Sequence, residues 1–349
     1  MQVGGRKYRI KPGLTVFLAI SVASALAIFF LTADRGTWSS LRRIRPEYAA
    51  LASILMGVQW CFNAIRFKIL VNSLDNKVTF MTSLKAFMAN VFISAITPSQ
   101  TGGGAMQIYV LNRAGVPIAK GFAGCLMGAV LSVLCLLTST LLILSSRPSF
   151  KAQIGQRMGG VAISVFVVFG ILGGLFLLSI VSITLVKRLI GGALLIATRM
   201  IKTRRRLAIT KRVLGGIDQY RECLLVFVTA RKRKLLLALI FTLAGIATNS
   251  LISLVLLTGL NVTHDSLSVY LAQFILFFIA YFGPTPGASG IAEFSNYWIL
   301  SSLNIEPGML GVYTVVWRSF TSFIGVAIGG LVVLSLVRSG NEKSRGHHT

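Results

Sequence analysis

Apolar residues in this chain fall in long unbroken runs, not scattered at amphipathic helical spacing. Leu14–Leu31, Val161–Val186 and Leu235–Leu260 carry few or no charges. A bilayer core takes about 20 apolar residues per spanning helix, so such runs predict membrane spans. Full spans are expected at about Leu14–Ala33, Tyr48–Leu70, Ile118–Leu144, Val161–Val186, Leu235–Leu260 and Met309–Val337.

Two further apolar segments are too short and too interrupted to cross. The first is Leu84–Ile96, then ITPSQTGGGAMQIYVLNR, with another short run at Ala105–Leu111. Pro98, Gly102, Gly103 and Gly104 forbid a smooth helix there. The second is Leu267–Phe282, then FGPTPGASGIAE, then a short run to Leu303. Its breakers are Pro284, Pro286, Gly287 and Gly290. Each pair of half-helices around a break reads as a re-entrant hairpin, tolerated at membrane depth only inside protein or beside a cavity. The expected fold is an all-α integral membrane protein of about six full spans plus two re-entrant hairpins.

The two breaks align at an offset of 186 residues, with Pro98 over Pro284, Gly104 over Gly290 and Gln107 over Glu293. This suggests one membrane domain with repeat halves at 12–146 and 158–338, followed by a disordered tail at 339–349. Charge sets the orientation. Arg6, Lys7, Arg9 and Lys11 precede the first span, and basic residues stay cytoplasmic. Lys187–Lys234 carries 14 basic and two acidic residues. Val213, Ile217, Tyr220, Leu224 and Phe227 form one stripe there, read as amphipathic helices on the inner surface. Counting crossings from an inside N-terminus puts both termini in the cytoplasm. It also makes the two hairpins enter from opposite faces, an inverted-topology repeat. Broken helices at matching positions of inverted halves are the pattern of transporters.

Composition agrees. Of 349 residues, 54% are hydrophobic and 13% charged, against about a quarter charged in soluble domains. The net charge of +26 would suggest nucleic acid in a soluble chain; here loops beside anionic lipid explain it better. The four cysteines form no CxxC pair and the three histidines lie in loop or tail, so neither a metal site nor a cofactor is expected. No G-x-S-x-G, HExxH, phosphate loop or paired carboxylates are present, and an enzyme is not expected.

Of nine acidic residues, only Glu293 sits within an apolar hairpin. A charge at the bilayer centre costs at least ~2.5–3.5 kcal/mol and usually has a partner and a role. Arg318, in the last span, is the expected partner, either for substrate or as a structural lock on the second hairpin. Arg66 and Arg113 are the other arginines nearest apolar segments. They either bind phosphate, which suits a guanidinium, or mark the inner interface. Gly104 and Gly290 head half-helices whose free N–H groups suit an anion. With Gln107, these residues form the candidate substrate site. Asn63, Asn90, Gln100, Asn249, Gln273 and Asn296 add polar groups at membrane depth, either lining a groove or bonding between helices.

At these motifs the chain resembles the flippase-like transmembrane region of lysylphosphatidylglycerol synthases. The resemblance rests on PSQTGGGAMQIYVLNRAGVP (Pro98–Pro117), PTPGASGIAE (Pro284–Glu293) and WCFNAIRFKIL (Trp60–Leu70), and covers roughly residues 12–338. It implies a membrane domain that moves or binds lipid headgroups. Many members carry Gly-Glu in the first hairpin and Glu-Arg in the next span; here stand Gln107 and Leu126, Met127 and Gly128. That departure implies a different substrate or an uncharged first site. No aminoacyl-transferase domain is expected after the last span. The expected activity is a flippase or transporter of an anionic phospholipid or polyprenyl-phosphate lipid in a prokaryotic cytoplasmic membrane. The alternative is a non-transporting partner of envelope or lipid-linked glycan synthesis, docked through the basic stretch. Lipids are the expected partners; a synthesis enzyme or a second copy of the chain are further ones.

The opposite entry of the hairpins is open to a direct measurement. Single cysteines at Lys85 and at Ser266, in a chain freed of its native cysteines, are expected to label from opposite faces. Labelling of both from one face would contradict it.

Overall fold

The computed structural model describes residues 45–147, 231–303, 305 and 307–345, with isolated positions at 2–3, 6–7, 19, 23, 222, 225–227 and 229. The expected spans at Leu14–Ala33 and Val161–Val186, and most of the basic stretch Lys187–Lys234, lie outside the described residues. Apart from a two-residue antiparallel pairing of Gln2–Val3 with Arg6–Lys7, every described element is helical.

The helices are α1 (Pro46–Asn72), α2 (Phe80–Ile96), α3 (Thr101–Arg113), α4 (Ile118–Ser146), α5 (Lys232–Gly259), α6 (Ser266–Tyr281), α7 (Ile291–Ser301), α8 (Pro307–Arg318) and α9 (Ile324–Arg345). A single π turn at Ser319–Phe323 joins α8 to α9 without a break. Four described segments are long and apolar enough to cross a membrane: Pro46–Asn72, Ile118–Ser146, Lys232–Gly259 and Gly308–Leu336. Backbone helix extends to Arg345, into the stretch expected as a tail.

Sequence explains where the helices stop. Pro46 stands at the first position of α1, where its missing N–H costs nothing. Thr79 caps α2 by accepting from the Thr82 N–H at 3.2 Å. Asp265 caps α6, accepting from the Leu267 N–H at 3.2 Å and from the Ser268 hydroxyl. Those bonds, the hydroxyl first, hold its carboxyl below the usual range. Within the spans, buried Thr242, Thr248, Ser250 and Thr314 return their hydroxyls to the carbonyl four residues back. These four hydroxyls are then not offered bare to hydrocarbon. Ile54, Ile118, Leu142 and Leu331 point outward from the bundle, as lipid contact requires.

Each short helix pair folds back on itself. α2 packs on α3, and α6 on α7. Their bases lie at opposite ends of the bundle. At one end Asp75 pairs with Arg231 at 3.0 Å, and Arg113 Nη1 donates to the Leu336 carbonyl at 2.7 Å. At the other, the Arg45 N–H donates to the Gly259 carbonyl at 3.4 Å, and Arg147 Nη1 to the Ser268 hydroxyl at 3.5 Å. The first hairpin adjoins the start of α4 and the second adjoins its end. At ~1.5 Å per residue, the 29 residues of α4 span a whole bilayer between them.

The two breaks share one backbone conformation. Thr97 is extended, Pro98 opens a tight turn, and Ser99 and Gln100 adopt φ of +49° and +55°. Thr285 is extended, Pro286 opens the turn, and Gly287 and Ala288 adopt +57° and +55°. The matching conformations stand 188 residues apart, two more than the offset read from the letters. In this register Thr97-Pro98 lies over Thr285-Pro286 and Gly102 over Gly290. Gln107 is then not the counterpart of Glu293. The breaks also touch: the Ser99 N–H donates to the Pro284 carbonyl at 3.1 Å.

Helix α9 crosses α2 at a glycine. A Cβ on Gly329 would sit 2.4 Å from the Met88 carbonyl oxygen. Gly329→Ala is expected to lower the thermal midpoint in detergent, at a cost of about 1–3 kcal/mol. Gly57→Ala meets nothing within 4 Å and is expected to leave it unchanged or raise it, by up to about 1 kcal/mol of helix propensity. Equal shifts for the two would contradict the crossing.

Candidate functional site

Glu293 is wholly buried, and so nearly is Arg318, at 0% and 5% exposed. Glu293 is the third residue of α7. Its Oε2 accepts from the Gly290 N–H at 2.7 Å, and its Oε1 meets Arg318 Nε at 2.9 Å. Arg318 Nη2 donates in turn to the Gly287 carbonyl at 2.8 Å. The pair is therefore a clasp. It fixes the left-handed residues of the second break to the last long helix, and it neutralises itself. Arg318 is the partner expected for Glu293.

The first break closes without charge. The Thr97 hydroxyl accepts from the Gly102 N–H at 3.1 Å, and Ser94 donates to the Gln100 carbonyl at 3.3 Å. A Cβ on Gly103 would fall 2.0 Å from Ser94 Oγ, so only glycine lets α3 approach α2 this closely. The helix-end N–H groups at Gly102 and Gly290 are thus taken by the protein's own side chains and are not left for an anion. Gly104 has open space beside it and serves neither break.

Where the two breaks meet, they and helices α1, α2 and α4–α9 enclose a cavity of about 360 Å³. That is within the roughly 300–1,000 Å³ of small-ligand sites. Arg66, Arg318 and Gly287 line it. Arg66 Nη1 donates to the Ser132 hydroxyl at 2.6 Å, which itself donates to the Gly128 carbonyl at 3.0 Å. Arg66 Nε is buried without a partner, and no carboxylate pairs with Arg66 among the described residues. The indole N–H of Trp317, also on the lining, is likewise buried without a partner. With Glu293 and Arg318 cancelling, the described lining carries one uncompensated positive charge.

Other expected site residues lie elsewhere. Arg113 is exposed, 5.8 Å from the centre of the Tyr109 ring, and anchors the end of α3 on Leu336. Gln107 is buried at 8% exposure but does not line the cavity. The amides also separate: Asn63, Asn90, Gln100 and Asn249 line it. Gln273 instead bonds between helices, accepting from Ser253 at 2.8 Å and donating to Asn296 at 3.4 Å. Gln59, Ser94, Ser132, Tyr281 and Trp317 are among the other polar and aromatic lining residues; their helical context alone gave no sign of it.

Breaking a buried pair by removing one partner costs ~3–5 kcal/mol, because the other charge is stranded. Arg318→Met is expected to lose that stability in detergent unfolding. Combining it with Glu293→Gln is expected to recover a large part. A double variant no more stable than Arg318→Met would contradict the clasp.

The comparisons with known proteins converge. Residues 16–329 match the model of the lysylphosphatidylglycerol synthase TM region. A UPF0104 membrane protein of Archaeoglobus fulgidus is 26% identical over 323 residues, 92% of this chain and 97% of that protein. A UPF0104 membrane protein of Methanocaldococcus jannaschii is 23% identical, covering 95% and 97%. One from Pyrococcus horikoshii is 19% identical, covering 91% and 96%. This multi-pass membrane chain belongs to the lysylphosphatidylglycerol synthase TM region family.

Proposed function

We propose that the protein carries a lipid bearing an anionic phosphate headgroup across the membrane, with the headgroup seated between the two breaks. Arg66 carries this reading. It is a guanidinium at membrane depth with no carboxylate beside it among the described residues and with its Nε–H unpartnered there. Arg66 is half-buried with its Nε atom fully enclosed; desolvating such a charge without a counter-charge is unfavourable, and a phosphate that bonds bidentately offsets that cost. The hydrocarbon tails of the lipid stay in the bilayer while the polar cavity takes the headgroup.

The halves support movement as well as binding. Their hairpins start from opposite ends of α4, share a backbone turn, and meet at one backbone hydrogen bond. An inverted-topology repeat of this kind alternates access when one half rocks against the other around a fixed site. Glu293 takes the role of a positioning residue: it holds Arg318 and the second break, and does not touch the headgroup.

Removing a hydrogen bond to a charged group costs about 1.5–3 kcal/mol. Arg66→Gln is therefore expected to slow translocation of fluorescent phosphatidylglycerol in proteoliposomes by ten-fold or more, with unfolding behaviour retained. Transport at the parent rate in a folded Arg66→Gln protein would overturn the proposal.

A further inference from the structure

Resting on that reading, we infer that the headgroup is a phosphodiester extended by neutral hydroxyls, a sugar or polyol, and not one that carries an amine. The inference comes from what lines the cavity beyond its arginines. Amide side chains converge on it from four segments: Gln59 and Asn63 on α1, Asn90 on α2, Gln100 in the first break and Asn249 on α5. Several are only partly engaged. Gln59 and Asn249 make no side-chain hydrogen bond within the described residues. Asn63 donates to the Gln59 carbonyl at 2.9 Å, which leaves its oxygen as an acceptor. Asn90 accepts from Ser94 at 3.2 Å, which leaves its NH₂ as a donor. The cavity therefore offers neutral donors and acceptors side by side.

A hydroxyl is both donor and acceptor, and amides match it on both counts. Phe87, Phe277 and Tyr281 add flat apolar surface to the same lining, which suits the C–H faces of a sugar ring. An ammonium needs acceptors, above all a carboxylate. No aspartate or glutamate is among the described lining residues. Glu293 has both oxygens committed, one to Arg318 and one to the Gly290 N–H. Arg66, whose charge no carboxylate balances among the described residues, would repel a cationic headgroup, and away from bulk water that repulsion is less screened. The relation to a family named for a lysine-bearing lipid is thus one of scaffold, with the polar lining turned to other chemistry.

Four short-chain dihexanoyl lipids, titrated by calorimetry into the purified full chain in detergent, separate the possibilities. Phosphatidylmethanol has the phosphodiester alone; phosphatidylinositol adds hydroxyls; phosphatidylethanolamine and lysyl-phosphatidylglycerol add amines. Phosphatidylinositol is expected to bind about ten-fold tighter than phosphatidylmethanol, and both amine lipids at least ten-fold weaker than phosphatidylmethanol. Asn63→Ala and Asn249→Ala are each expected to weaken phosphatidylinositol about five-fold, one net hydrogen bond's worth. Both should leave phosphatidylmethanol unchanged, which also reports that the variant is folded. Equal binding of phosphatidylinositol and phosphatidylmethanol, or lysyl-phosphatidylglycerol binding as tightly as either, overturns this inference and leaves the anionic-lipid reading standing. Phosphatidylethanolamine binding as tightly as phosphatidylmethanol likewise overturns this inference alone, whereas no binding of either phosphatidylmethanol or phosphatidylinositol overturns both.

Discussion

Arg318 reaches a carboxylate with one nitrogen and a backbone carbonyl with another, and the second break depends on it. A membrane interior supplies no water to an interrupted helix, so every freed backbone group needs a protein partner. Gly287 and Ala288 turn left-handed there, and a left-handed turn costs roughly 1–2 kcal/mol at a residue with a Cβ such as Ala288. The guanidinium holds the Gly287 carbonyl and Glu293 holds the Gly290 N–H, so charge repairs what the break removes. The first break has no such pair. It leans on Thr97, Ser94 and the Pro284 carbonyl of the second break. The second break is thus held by the last long helix, and the first is supported in part by the second.

This asymmetry determines where charge is available for a ligand. Arg318 is already balanced, so Arg66 is the group whose charge is answered by nothing else in the described protein. Its neighbours are hydroxyls and amides, which orient a headgroup without opposing its sign. The π turn directly after Arg318 sits where the last long helix passes both the clasp and the cavity. Such turns are frequent at functional sites, and here Thr321 and Ser322 bring its polar side onto the lining.

Much of this was legible in the chain. Long apolar runs gave the described spans, and Pro98 and Pro284–Gly290 marked the breaks. Glu293 stood out as the lone acid in an apolar hairpin, which pointed to Arg318. The match between the two breaks was less legible, because glycine is the residue that ordinarily marks a left-handed turn. Three of the four left-handed positions are Ser99, Gln100 and Ala288, residues that do not announce that conformation. Arg66 and Arg113 looked alike, each near the end of an apolar run. They part because α1 continues to Asn72, which carries Arg66 inward by more than a turn, whereas Arg113 is the last residue of α3. The amides could not be sorted by letters, since lining a cavity and bridging two helices both call for a polar residue on an inner face.

The central claim is that an anionic headgroup occupies the space between the breaks, against Arg66. A density map of the protein in nanodiscs of phosphatidylglycerol tests it most directly. The account predicts phosphate density within hydrogen-bond reach of the Arg66 guanidinium, inside the cavity. Lipid density confined to the outer perimeter, with only water between the breaks, would contradict it.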